Sequence, residues 1–179
     1  RKEMRRATEN DDMEYEINKY NNIIKPHHSS NFIAVQESVD FNSLIYSGKC
    51  WRKTNILPTN KRVLEGSPNS GISLIVDTKH YNYIQYLEQP DYIKKSLYLR
   101  KTSCYRLNNK YYNLLIVVLH MKNPKVEASK VTIQLKQMIE EYTSNYGIEE
   151  VIVLGDSNLE SKYKFSTNNL SSALQLTKV

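Results

Sequence analysis

Three short apolar runs each stop at residues that chemistry uses, and this coincidence constrains the chain more than any other feature of its sequence. Positions 32–35 run into Gln36 and Glu37, positions 114–119 into His120, and positions 151–154 into Gly155, Asp156, Ser157 and Asn158. Continuous apolar runs of four to six residues fit strands buried on both faces, not strands with one wet side. The ends of strands in parallel or mixed sheets are where loops hold functional groups over a rigid platform. Three such ends can therefore converge on one cleft.

The remaining pattern supplies the connections. Between positions 126 and 146, Val131, Ile133, Leu135, Met138, Ile139 and Tyr142 recur at helical spacing, and Gly147 is placed to end that helix. The unit 114–154 thus reads as strand, helix, strand, which normally puts two parallel strands in one sheet. Upstream, Asn10, Asp11 and Asp12 precede Met13, Ile17, Tyr20, Ile23 and Ile24, a capped helix stopped by Pro26. Positions 72–76 read as a strand, and 97–106 and 111–119 as a hairpin turning at Asn108 and Asn109. The stretch 38–70 reads as long loops around short strands.

A length of 179 residues suits one domain, here 1–179, with a hydrophobic core of its own. Hydrophobic residues at 40% and charged residues at 25% fit a globular chain, and the longest apolar run, 114–119, is far too short to span a bilayer. Two cysteines, Cys50 and Cys104, form neither a disulfide framework nor a zinc site, so an intracellular setting, cytoplasmic or nuclear, is expected. The net charge of +6 favours a polyanionic partner if the charge gathers on one face. Lys53, Lys61, Arg62, Lys94, Lys95, Arg100 and Lys101, some beside tyrosines, are the residues that suit backbone contacts and base stacking.

In an extended turn Asp156 and Asn158 point to the same side, and Gly155 lets the backbone bend without a clashing side chain. A carboxylate and an amide then face one ligand. Hard cations such as Mg²⁺ take oxygen donors and keep waters, which suits Glu37 with Asp156 better than a thiolate or multi-histidine set would. Taken singly, an acidic residue after a strand is usually a cap or a solvated turn, and a strand-end histidine is usually just hydrogen-bonded. Their occurrence together and in this order is what points to a site.

Four segments, in this order, resemble the endonuclease/exonuclease/phosphatase superfamily, also called deoxyribonuclease I-like: Ile33-Ala34-Val35-Gln36-Glu37, Gly71-Ile72-Ser73-Leu74-Ile75-Val76, Val118-Leu119-His120, and Val151-Ile152-Val153-Leu154-Gly155-Asp156-Ser157-Asn158. The likeness extends over most of the chain, from the first helix to Asn158. It implies a two-layer α/β sandwich and metal-dependent cleavage of a phosphoester. By position, it implies that Glu37 holds Mg²⁺ or Mn²⁺, that Asp156 orients or activates the attacking water, and that Asn158 helps hold the phosphate. His120 matches a histidine that contacts the phosphate or assists the leaving group.

Two of the family's features have no counterpart. Arg1 stands almost directly before the first helix, where the family has an asparagine-bearing strand, and no histidine follows Asn158, where the family has an Asp-His pair; the histidines are His27, His28, His80 and His120. The expected domain is therefore incomplete at both ends, lacking the first strand and the C-terminal strands, either as a fragment or as a shortened relative that no longer hydrolyses. The resemblance implies a nuclease, endo- or exonucleolytic, that binds DNA or RNA and uses Mg²⁺ or Mn²⁺. A phosphatase acting on a small substrate such as an inositol phosphate, and an inactive nucleic-acid-binding module, are the alternatives.

Overall fold

In a computed structural model the described residues are 18, 21–22, 25–27, 29–36, 59–68, 70–122, 128–156 and 158. They form β1 (Phe32–Val35), β2 (Lys61–Glu65), β3 (Ser73–Asp77), β4 (Tyr83–Leu87), the short helix α1 (Asp91–Lys94), β5 (Ser103–Asn108), β6 (Asn113–His120), helix α2 (Ala128–Tyr146) and β7 (Glu150–Asp156). A 3-10 turn at Lys25–His27 precedes β1. The helix expected upstream of Pro26, like Glu37 and Ser157, lies outside the described residues.

The strands make two sheets. One has the order β1-β3-β2 and is antiparallel throughout; the other has the order β4-β5-β6-β7, with β6 and β7 parallel and the remaining pairs antiparallel. The strand-helix-strand reading of 114–154 is what the structure contains. Along β6, Leu115, Val117 and Leu119 join Val131, Leu135, Met138 and Tyr142 of α2 in one apolar cluster. Leu114, Ile116 and Val118 join Leu64, Leu74 and Val76 of the other sheet in a second cluster. With side chains alternating across the strand, β6 needs apolar residues at every position. The continuous run at 114–119 is the sequence trace of that double burial. Each fully buried aliphatic side chain contributes roughly 1.5–3 kcal/mol relative to exposure. The two facing sheets and the helix on the outer side of one of them give the α/β sandwich that the resemblance implies.

Helix α2 ends as its sequence dictates. Gly147 takes φ +58, and the Ile148 amide donates to the Thr143 carbonyl at 3.0 Å, the six-residue closure of a glycine-capped helix. The side-chain amide of Asn113 donates to the carbonyls of Tyr146 and Gly147 at 2.8 and 2.9 Å, so the start of β6 caps the end of the helix that follows it.

Several expectations are corrected. Positions 97–101 form a turn, and the strand begins only at Ser103. Here the Ser96 hydroxyl accepts from the Leu99 amide at 3.2 Å and the Gln89 side chain donates to the carbonyls of Arg100 and Thr102, so side chains satisfy backbone groups that a strand would have paired. The hairpin closes through 109–112, where the Asn109 carboxamide oxygen accepts from the amides of Tyr111 and Tyr112 at 2.8 and 3.1 Å. Neither β1 nor β7 is buried on both faces: β1 is half-buried throughout, and in β7 Ile152 keeps 38% of its surface. Both stand at the end of their sheet's strand order among the described residues, so an apolar run there reflects burial on fewer sides.

At one end of the β1-β3-β2 sheet, Lys61 and Asp77 are register partners, with Nζ 3.1 Å from the carboxylate and side chains only 3% and 12% exposed. Lys61 also donates to the Ser30 carbonyl at 3.1 Å, tying in the segment that enters β1. Burial pushes the Asp77 carboxyl up, but hydrogen bonds from Asn60, the Lys79 amide and Lys61, with the lysine charge, outweigh it and hold the group at about 2, below its ordinary 3.8. A carboxyl depressed in the folded state contributes stability above its unfolded value that is lost as pH falls through the folded one. Unfolding free energy is therefore expected to drop between pH 4 and pH 2, and Asp77→Asn to flatten that part of the profile, as followed by urea denaturation; an unchanged slope in the variant would contradict this assignment.

Candidate active site

The second end of the sandwich collects the chemistry. In the parallel β6–β7 pair, Leu119 stands opposite Gly155 and His120 opposite Asp156, so the histidine and the aspartate are neighbours at the C-terminal ends of adjacent strands. Alternation along β6 carries His120 to the face shared by Leu114, Ile116 and Val118, the side on which the other sheet packs. His120 is half-buried and Asp156 is exposed.

β1 reaches this pair from the other sheet through Gln36, the residue after its last position. The Gln36 amide nitrogen donates to the Leu119 carbonyl, and its oxygen accepts from the Asp156 backbone amide at 3.2 Å. One side chain thus ties the ends of β1, β6 and β7. The strand ends need Gly155: that residue has φ +116, and a Cβ there would collide first with the Leu119 carbonyl oxygen and would lie 2.6 Å from the Gln36 amide nitrogen and 2.9 Å from the Leu119 backbone nitrogen. A backbone bend is what the sequence shows of this glycine. It also leaves room for the Leu119 backbone and for the glutamine, which no local pattern discloses.

The turn after β7 is closed by its own polar groups. Asp156 Oδ1 accepts from the Asn158 amide at 2.8 Å, the Asn158 side-chain amide donates to the Met121 carbonyl at 2.6 Å, and the Met121 amide donates to the Asp156 carbonyl at 3.0 Å. Asn158 adopts φ +50, a left-handed conformation that asparagine tolerates better than most residues. The structure therefore brings Asp156, Asn158 and His120 together and gives Asn158 a positioning task, with one amide hydrogen committed to Met121. Glu37, the metal ligand that the resemblance implies, lies outside the described residues. Gln36, its chain neighbour, is part of the motif, and the resemblance implies no task for it.

A second tie between the sheets lies at the same end. The Ser67 amide donates to the Ser103 hydroxyl at 2.9 Å, and a Cβ on Gly66 would come within 2.9 Å of the Ser103 Cβ. The two sheets approach closely here because glycine and serine meet across the gap.

Among the described residues no three His, Cys, Asp or Glu side chains gather in a metal-binding group. The described donor set does suit a hard cation: an exposed aspartate carboxylate has one oxygen committed to an amide donor and a second for a ligand. Mg²⁺ commonly takes only one or two protein carboxylates and retains water.

No protein-family model matches the chain, and no curated protein matches it. Solved structures do. The human Nocturnin catalytic domain with bound sulfate anion superposes with a TM-score of 0.57 at 16% identity, covering 94% of this chain and 64% of that one. TDP2 of D. rerio complexed with single strand DNA product gives 0.53 at 11% identity, covering 94% and 59%. Sphingomyelinase C from Streptomyces griseocarneus gives 0.56 at 11% identity, covering 93% and 64%. The chain thus spans about three-fifths of the length of these structures. At such identities the likeness is one of fold, and the fold they share with this chain is the deoxyribonuclease I-like fold.

Proposed function

We infer that the protein is a divalent-metal-dependent phosphodiesterase acting on nucleic acid. The observation that carries this reading is the end of the parallel β6–β7 pair, where Asp156 and His120 stand side by side and the Gln36 bridge brings the end of β1 to them. Gln36 is followed in the chain by Glu37, so the implied metal ligand leaves from an anchored residue. The net charge of +6 and the single-stranded DNA complex of the D. rerio TDP2 structure favour nucleic acid over a small phosphoester.

Each described residue has a task that its geometry supports. Asp156 is held through its backbone by Gln36 and Met121 and through Oδ1 by Asn158, which leaves its exposed carboxylate aimed by fixed partners instead of by a mobile loop. Such a carboxylate orients water for in-line attack on a phosphate, where positioning is a large share of the catalytic effect. His120 can donate a hydrogen bond to a phosphate oxygen or to the departing oxygen from the neighbouring strand. Glu37 and Asp156 are the carboxylates that would hold Mg²⁺ or Mn²⁺, and a bound cation would supply charge neutralisation and a more acidic water.

Mg²⁺-dependent cleavage of single- and double-stranded DNA and RNA is the direct test, run on this chain and on the protein extended at both ends. Activity is expected to vanish with EDTA and to fall about 100-fold or more in Asp156→Asn. Cleavage that persists in Asp156→Asn, or no cleavage by either form of the protein, would sink the reading.

The bridge makes its own prediction. Gly155→Ala places a Cβ against the Leu119 carbonyl and Gln36 at a positive φ, with an expected loss of about 1–3 kcal/mol of stability. Gln36→Glu keeps an acceptor for the Asp156 amide but sets a carboxylate against the Leu119 carbonyl. Both variants are expected to lower kcat more than they raise KM. Wild-type kcat in either would remove Gln36 from the positioning of the site.

A further inference from the structure

A cleft of about 960 Å³ opens beside β4 and the turn 97–101, outside the strand-end cluster already described. Its lining includes Tyr86 on β4, Gln89, Arg100 and Lys101 on the approach to β5, and Tyr146 at the end of α2. Its walls are fixed by buried contacts. Tyr142 of α2 donates to the Glu88 carbonyl at 2.7 Å, and the Gln89 side chain, itself buried, donates to the Arg100 and Thr102 carbonyls. The Ser67 hydroxyl reaches the Arg100 carbonyl from the other sheet at 3.3 Å. The backbone of the turn is thus held from two directions while the Arg100 side chain remains exposed and that of Lys101 half-exposed.

The charge in the cleft is uneven in a useful way. Lys94 also lines it, but its ammonium is 2.6 Å from Glu88 and 4.0 Å from Asp91, so acidic neighbours offset it. Among the described residues Arg100 and Lys101 have no ion-pair partner. They are therefore the cations that the cleft offers to a ligand.

The cleft and the strand-end site share one rim. Ser103 is the register partner of Val118, and Val118 that of Leu154, so the start of β5 lies at the same end of the sheet as His120 and Asp156. The contact is closer than register alone requires: the amide of Lys122, two residues past His120, donates to the Tyr98 carbonyl in the turn at 3.2 Å. From Asp156 through Met121 and Lys122 to the 97–101 turn the rim is continuous hydrogen-bonded backbone. Lys122 adds a third exposed cation between the two.

We propose that this cleft binds the sugar-phosphate backbone of one unpaired nucleic-acid strand on its way to or from the strand-end site, with Arg100 and Lys101 on its phosphates. The volume is at the upper end of roughly 300–1,000 Å³ ligand pockets, room for a few nucleotides of a single strand and not for a duplex. Two forked or flexible cations on a stapled turn, in a cleft that Tyr86 and Tyr146 line from opposite faces of the edge of β4, combine charge with aromatic surface as single-strand sites do. The proposal rests on the nucleic-acid reading above and adds to it the strandedness of the substrate and the path it takes.

Its test is a binding measurement without metal, so that cleavage plays no part. A fluorescent single-stranded DNA oligonucleotide is titrated in EDTA at several salt concentrations with the chain, with Arg100→Gln/Lys101→Gln, and with Lys79→Gln/Lys110→Gln. Lys79 and Lys110 are exposed and lie in the turns 78–80 and 109–112 at the other end of the sheets, so the second double variant removes the same charge away from the cleft. The slope of log affinity against log salt is expected to shrink by about 1.4 in the first variant, the share of two phosphates on a single strand, and to stay unchanged in the second. Equal slopes in the two double variants, or tighter binding of duplex than of single strand, would overturn the cleft while leaving Mg²⁺-dependent cleavage as a separate result. Hydrolysis of a small phosphodiester with no binding of any oligonucleotide would overturn the nucleic-acid reading and the cleft with it.

Discussion

Strand β6 has an apolar layer against each of its faces, and most of the molecule is arranged around that fact. A strand in this position cannot place a polar side chain anywhere between its first and last residues without burying it. Leu114, Ile116 and Val118 meet one layer and Leu115, Val117 and Leu119 the other. The first residue free of this demand is His120, and it comes at the strand's end. The same alternation that fills both cores therefore decides which way the histidine faces, and the parallel pairing with β7 decides that Asp156 is beside it.

Apolar packing does not by itself fix how far one sheet slides over the other, because dispersion contacts are numerous and individually weak. Directional bonds do that here, and they concentrate at the end carrying His120 and Asp156. Gln36 bonds Leu119 and Asp156, and Ser67 bonds Ser103, each crossing from one sheet to the other. The opposite end of the β1-β3-β2 sheet is closed within itself by Lys61 and Asp77. Groups that keep a relation to one another across the two sheets are thus joined by hydrogen bonds whose geometry tolerates little drift.

What could be read in the sequence follows from this division. The double burial of β6 is visible as an unbroken apolar run, the α2 face as a helical period, and the helix stop as Gly147, because each is a local pattern with one physical cause. The same run at 151–154 misleads, since an apolar stretch records hydrophobicity and not how many neighbours cover it, and β7 keeps more surface than β6. The turn at 97–101 was hidden for another reason. Tyr98 and Leu99 look like strand residues, and what bends the chain is the amide of Gln89, eleven residues before the carbonyl of Arg100 to which it bonds. At the candidate site the residue types and their order were legible, whereas the bond from Gln36 to Asp156 spans 120 positions and leaves no local trace.

That long-range bond ties together two positions that the chain keeps far apart. The dependence runs one way: a side chain at 155 would meet the Leu119 carbonyl oxygen before it met Gln36, so position 155 stays glycine whatever stands at 36. Among descendants of one ancestor the glycine is thus expected to be kept even where the glutamine has changed, whereas a lineage that has replaced the glycine will have moved β7 off β6 at this end and with it one anchor of the glutamine's bridge.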